Sequence, residues 1–290
     1  MLPSLVRGST VSLELFTPRS AEGVEELLSP DGRLAQYASL GPSFISVSGG
    51  TSASLSILEH VRKMHCIRPQ LHIARAEVTE EGVISLVEGA RKLGIIDVLV
   101  LGGAPGSLQP TTGGRFGSTT DLVSFLKRRY GDRLRISVCG YPRGTRGEAG
   151  DYTSDLVQLG KQTAAGAEMV ISLPIFEAAE QARFVGDARN AGVACPVVPG
   201  ILPLCTPSDF RRLCRALYVE PPAALERQLD AAAAKGEDAV GQLAQATLVR
   251  LVDELKAQGG SAPHVYTLNS PAALSYLAAA GFRPLKHRTL

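Results

Sequence analysis

The chain has 290 residues, of which 44% are hydrophobic, 20% charged and 5% aromatic, with no tryptophan. That length can bury a full core without metal or disulfide staples, and it suits one α/β barrel or two smaller domains. A formal net charge of +2 argues against nucleic acid or an anionic membrane as partner, and with no run of about 18 apolar residues no membrane span is expected.

Strand-length apolar runs recur along the chain: Val11–Phe16, Phe44–Ser48, Gln70–Ala74, Asp97–Leu101, Arg135–Gly140, Met169–Phe176, Pro196–Leu202 and His264–Leu268. Several are rich in Val and Ile and end in Gly, Pro or Ser, as parallel strands buried on both faces do. Helical spacing lies between them. Glu80–Leu93 sets Val83, Leu86, Val87, Ala90 and Leu93 on one face, and Leu122–Tyr130 does the same with Leu122, Phe125 and Leu126. Thr79 before Glu80-Glu81, and Thr206 before Pro207-Ser208-Asp209, are helix-start signals: a capping hydroxyl, an early acid and, in the second, proline at the first helical position. After Pro221-Pro222 the Ala- and Leu-rich stretch Ala223–Leu255 predicts two helices. They read as a helical insertion over 221–258, between strands 7 and 8 of a single domain spanning residues 1–290. Eight βα units of about 30 residues each are the arithmetic of a (β/α)8 TIM barrel, fold class α/β. A doubly wound sheet shares the alternation but usually has fewer strands and a distinct switch point.

The five cysteines (Cys66, Cys139, Cys195, Cys205, Cys214) contain no Cys-x-x-Cys pair, so neither a metal site nor a disulfide framework is expected. The stretch Met1 to Arg7 is too short for a secretory core, and Arg288-Thr289-Leu290 is not the peroxisomal Ser-Lys-Leu address. A reducing, cytoplasmic location is the expectation.

In a barrel the chemistry belongs at the C-terminal ends of the strands. That rule selects Glu14, Ser48 to Thr51, His72, Gly102 to Ser107, Tyr141 to Arg146, Leu173, Pro199 to Pro203 and Asn269. Leu13 and Leu15 take one face of the first strand, which turns Glu14 toward the barrel interior. Desolvation there would raise its pKa, as a general acid requires; the alternative is a structural carboxylate paired with a buried basic group, such as Arg19 or a strand-borne arginine. His72 reads either as a hydrogen-bonded core residue or as a functional group. The glycine-rich stretch after the fourth strand is a binding loop or a plain surface loop, lacking the pattern of a nucleotide fingerprint. Arg143 and Arg146, beside glycines at the mouth, suit phosphate groups, with Tyr141 offering a stacking face; solvated loop arginines are the alternative.

These motifs resemble those of the methylenetetrahydrofolate reductase family. Leu13-Glu14-Leu15-Phe16-Thr17-Pro18-Arg19 is similar to the family's Phe-Glu-Phe-Phe-Pro-Pro-Arg, and Phe44-Ile45-Ser46-Val47-Ser48-Gly49-Gly50 to its second-strand Phe-Val-Ser-Val-Thr-Tyr-Gly. His72 falls on the third-strand His, Ser137-Val138 through Tyr141-Pro142 on the fifth strand, and Asp155-Leu156 to Lys161 on the helix before the sixth. Val198-Pro199-Gly200-Ile201-Leu202-Pro203 and Val265-Tyr266-Thr267-Leu268-Asn269 are near-verbatim matches. The resemblance implies FAD as cofactor, NADH or NADPH as co-substrate, a folate substrate and a possible homo-oligomer. It makes Glu14 the general acid, and Ser48, His72, Gly103, Tyr141, Asp155 and Lys161 the cofactor-binding set.

The sequence also departs from the family. The fourth strand's Arg-Gly-Asp is Gly102-Gly103-Ala104, the sixth-strand Gln is Leu173, and the Arg after Thr-Leu-Asn is Ser270. Thr145 stands for the flavin-side His, and Gly49 for a Tyr. Two alternatives to the flavin reductase therefore stand: a flavin-independent reductase, and a repurposed barrel that binds or scaffolds.

Overall fold

The computed structural model describes residues 11–102, 116–144, 151–217 and 219–282. All eight expected strands form: β1 (Ser12–Leu15), β2 (Ile45–Val47), β3 (Pro69–Ala74), β4 (Asp97–Leu101), β5 (Arg135–Gly140), β6 (Met169–Pro174), β7 (Val197–Ile201) and β8 (His264–Tyr266). They pair in parallel in chain order and close, β8 returning to β1, into one barrel. Closure sets the doubly wound alternative aside. β8 stops at Tyr266 because Leu268 and Asn269 turn left-handed (φ 56° and 55°), a conformation that cannot continue a ladder.

The helices are α1 (Ala21–Leu28), α2 (Arg33–Ser39), α3 (Ser52–His65), α4 (Glu80–Lys92), α5 (Thr119–Tyr130), α6 (Tyr152–Ala164), α7 (Ala178–Asn190), α8 (Pro207–Ala216), α9 (Ala223–Ala233), α10 (Glu237–Ala257) and α11 (Pro271–Ala279). The two expected caps form: Thr79 Oγ1 accepts from the Gly82 N–H at 3.0 Å, and Thr206 Oγ1 from the Asp209 N–H at 3.3 Å. α5 begins earlier than its apolar pattern, because Ser118 caps the Asp121 N–H.

Period-2 alternation divides the strand residues. Leu13, Leu15, Ile45, Val47, Leu71, Ile73, Val98 and Val100 bury against helix residues such as Leu58, Val61, Val83, Val87, Leu122 and Leu126. The opposite register points inward, where Phe44, Leu99, Cys139, Met169, Ile171 and Val198 form an inner apolar cluster. The stretch from Ala223 folds as two helices with different tasks. α10 buries Leu248, Leu251, Val252 and Leu255 in the main core, packed between α7 and α11, and so serves as the crossover helix between β7 and β8. α8 and α9 are the extra pieces; with Phe176, Leu202, Leu204 and Phe210 they build a second apolar cluster beside the strand C-termini. No helix of the described residues is long and apolar enough to cross a membrane.

Candidate active site

Glu14 lies on the inner face of β1, 5% exposed, as the alternation of its leucine neighbours requires. Its backbone is pinned from β8: the carbonyl accepts from Thr267 Oγ1 at 2.7 Å and from the Thr267 N–H at 3.2 Å. Two buried imidazoles flank the carboxyl, with His264 Nε2 at 3.5 Å and His72 Nε2 at 3.7 Å from Oε2. Neither Nε2 has a hydrogen-bond partner among the described residues. Burial, with a lesser push from His264, holds the His72 imidazole below its ordinary value against the opposing pull of Glu14. The buried basic groups beside Glu14 are these imidazoles, and no guanidinium of the described residues pairs with it. Arg19 is exposed, and the strand-borne Arg135 joins Arg68 in bracketing Asp97 at 2.7 Å each, at the N-terminal end of the barrel.

Apart from those two Nε2 atoms, several polar groups of the inner wall bond to one another. Ser12 Oγ meets His264 Nδ1 at 2.9 Å, and the His264 ring stacks on Phe44 with centroids 5.5 Å apart. Tyr266 donates its hydroxyl to the Ser172 carbonyl at 2.9 Å. Ser46 Oγ donates to Gln70 Oε1 (2.6 Å), and Gln70 Nε2 to Ser137 Oγ (3.0 Å), a chain from β2 to β5. Burial pushes the Cys139 thiol and the Tyr266 phenol well up, so both stay protonated.

At the rim the predicted residues part company. Half-buried Ser48 follows β2 and accepts from Thr17 Oγ1 through its carbonyl. Tyr141 leaves β5 with its phenol pushed up by burial, then by Cys139 and Asp155. Asp155 sits in the first turn of α6, Oδ2 reaching 3.7 Å from where a Cβ on Gly144 would stand. Lys161 is not brought to this group: it is exposed in the last turn of α6, six residues and about 9 Å of helix beyond Asp155, toward the opposite end of the barrel. Arg143 is no free anion holder. Its Nε lies 2.6 Å from Glu180 Oε1 and its guanidinium covers the Phe176 ring, because the next βα unit brings α7 alongside. Gly103, Ala104, Thr145 and Arg146 lie outside the described residues.

His264 was missed by sequence reasoning; the available signal was barrel closure, which sets Ser12 against His264 and Glu14 against Tyr266. The mouth above them is tied by Asn269, whose Oδ1 accepts from the Phe16 N–H (3.0 Å) and whose Nδ2 donates to the Phe16 carbonyl (2.8 Å). Those bonds hold the left-handed Leu268-Asn269 pair, strained for a branched residue, between the exits of β8 and β1.

The family model for methylenetetrahydrofolate reductase matches residues 5–279, nearly the whole barrel just described. The chain belongs to the methylenetetrahydrofolate reductase family. It is 30% identical over 274 residues to methylenetetrahydrofolate reductase (NADH) 1 of Zea mays, covering 89% of this chain and 46% of that protein. The chain thus spans about half the length of the curated plant relatives it matches. It is 28% identical over 273 residues to 5,10-methylenetetrahydrofolate reductase of Escherichia coli, covering 92% of this chain and 88% of that one. Among solved structures, a protein of Clostridium thermocellum described as binding two copies of 5-methyl-5,6,7,8-tetrahydrofolic acid shares the fold, with TM-score 0.63, 11% identity and coverage of 94% and 95%. For a methylenetetrahydrofolate reductase family member, the departures at Gly102, Leu173 and Ser270 all fall at the mouth, whereas Glu14 keeps its place in the wall.

Proposed function

We propose that this chain reduces 5,10-methylenetetrahydrofolate to 5-methyltetrahydrofolate, with hydride that comes from NADH or NADPH by way of FAD. The observation that carries this reading is Glu14: a buried carboxyl on the inner barrel wall with only imidazoles within ion-pair reach among the described residues. Relatives named for that reaction, and a like-folded barrel described as binding a methylated folate, support it.

The rim fits a dinucleotide with a flat ring. Among the described residues, a Cβ on Gly102 would meet only Thr119 Oγ1 at 3.5 Å and the Tyr141 hydroxyl at 3.7 Å, so these residues leave space beside Tyr141. Ser48, His72, Tyr141 and Asp155 would hold the cofactor, which supplies the hydride when bound. Glu14 gives its proton to the departing nitrogen as the folate's five-membered ring opens to an iminium ion, which then takes the hydride at the methylene carbon. Burial keeps water from that proton, and the imidazoles of His72 and His264 face the carboxylate left behind. We place the reaction in the cytoplasm, in keeping with five unpaired cysteines.

The test is oxidation of NADH or NADPH by the purified protein with methylenetetrahydrofolate, with the methyl product identified chromatographically and the visible spectrum recorded. A yellow protein that makes the methyl product bears the proposal out. A colourless protein that still makes it points to direct transfer from the nicotinamide. Absence of product with both nicotinamides sinks the reductase.

A further inference from the structure

One cation at the mouth has no counter-charge among the described residues. Arg75 follows β3 directly, opening a single 3-10 turn (Arg75–Glu77), and is 8% exposed. Its hydrogen bond among the described residues runs from Nη1 to the Phe116 carbonyl at 2.9 Å. Glu14 faces two imidazoles and Glu88 pairs with Arg91, and no described carboxylate, Glu80 and Glu81 of the next helix included, pairs with Arg75. Burying a guanidinium without an anion is strongly unfavourable. Tethering a carbonyl does not require that charge, since a neutral amide donates as well.

The register places this cation. Ala74 pairs with Leu101, so Arg75 and Gly102 leave the barrel side by side. Gly102 brings no side chain, and Thr119 Oγ1 lies close to it. Thr119 opens α5, a 12-residue helix whose first-turn N–H groups face the same rim. The next residue, Thr120, has its hydroxyl oxygen buried without a hydrogen-bond partner among the described residues. Asp121, the acid of that turn, is exposed, its Oδ2 3.2 Å from where a Cβ on Gly117 would stand.

We propose that Arg75, with the first turn of α5, receives the pyrophosphate bridge of the dinucleotide bound at the mouth. It supplies from β3 the cation that Gly102 does not supply from β4. This inference rests on the dinucleotide-dependent reading above. FAD, NADH and NADPH share the pyrophosphate, so each is tested separately.

The variants are Arg75→Met, which keeps the stem and removes the charge, and Arg75→Lys, which keeps the charge. Dissociation constants for FAD, NADH, NADPH and 5-methyltetrahydrofolate are measured by titration, and thermal midpoints with and without inorganic pyrophosphate. Arg75→Met should weaken at least one dinucleotide about 10- to 100-fold, the range for a lost charged hydrogen bond, and leave the folate within about threefold. Pyrophosphate should raise the midpoint of the wild type and of Arg75→Lys, not of Arg75→Met. If wild type binds no dinucleotide while pyrophosphate still stabilises it through Arg75, the anion site stands and the reductase reading falls. Unchanged dinucleotide affinity in Arg75→Met, an equal loss of folate affinity, or no response of the wild type to pyrophosphate overturns the inference.

Discussion

Replacing Glu14 by glutamine tests the proposed acid with almost no change of shape. The amide matches the carboxyl in volume but has no proton to release near neutral pH. General acid catalysis contributes about 10²–10⁴-fold, or about 2.7–5.4 kcal/mol of barrel-wall contribution to the transition state. The surroundings favour the upper part of that range. The phenol of Tyr266 and the thiol of Cys139 are pushed well up by burial, and His72 is held low, so none of these three stands ready to deliver the proton instead. Folding should survive the exchange. The carboxyl is 5% exposed and makes no bond to a guanidinium, and the new amide can donate to one of the two Nε2 atoms that otherwise lack a partner. One neutral hydrogen bond is worth about 1 kcal/mol, which is about 2–4 °C in a domain of this size. We therefore expect turnover of methylenetetrahydrofolate to fall about 10³-fold or more, with Tm moving by less than about 4 °C. Oxidation of NADH or NADPH by a quinone acceptor, measured on the same preparation, should stay within about threefold, because that half-reaction needs no proton from this wall. Parallel loss of both activities would make Glu14 a structural residue, and a fall of less than about tenfold in folate turnover would end the general-acid role.

Three further outcomes follow from the same geometry. Burial lowers the His72 pKa, so the unfolded chain binds more protons at this site; stability is full above about pH 6.5 and declines on acidification by up to about 1.4 kcal/mol per pH unit. His72→Gln should flatten that acid limb in urea midpoints taken between about pH 5 and 7, and an unchanged limb would show that the charge is tolerated. Gly200→Ala would put a Cβ 2.1 Å from the Ser172 carbonyl oxygen and 2.8 Å from Tyr266 Cε2. Overpacking against backbone should cost about 3 kcal/mol or more, and a Tm within about 2 °C of wild type would contradict the close approach of β6 and β7. Asn269→Ala removes two bonds to Phe16 and puts alanine at φ 55°, for a loss of about 2–3 kcal/mol; Asn269→Gly, which tolerates that φ, should recover part of it. Equal Tm values for the two variants would assign the whole effect to the hydrogen bonds.

What the sequence could reveal was set by how local each determinant is. The strands were legible because a parallel strand covered on both faces must be apolar along its length, and α4 and α8 because a capping hydroxyl and an early acid leave a signature within four residues. Glu14 was legible for the same reason: period 2 alone sets it opposite Leu13 and Leu15. Contacts between units were not. Arg143 read as an open cation because Glu180, which takes it, belongs to the next βα unit, and nothing near Arg143 in the chain announces that carboxylate. His264 reaches Glu14 only because the eighth strand closes on the first, across almost the whole chain.

Lys161 is different in kind, because topology alone fixes its position. In a parallel barrel every strand rises to the mouth and every helix runs back down, so residues late in a helix lie far from the strand C-termini. A likeness in sequence spacing pointed Lys161 at the mouth; the direction of α6 carries it away. Arg75 is the converse. It has no counterpart among the motifs that suggested the family, yet the register of β3 on β4 sets it beside Gly102, where the family pattern has an arginine and this chain has none. In this fold, adjacent strand ends can supply one charge to the same stretch of rim, so loss of a side chain at Gly102 removes the residue without requiring that the site lose its cation.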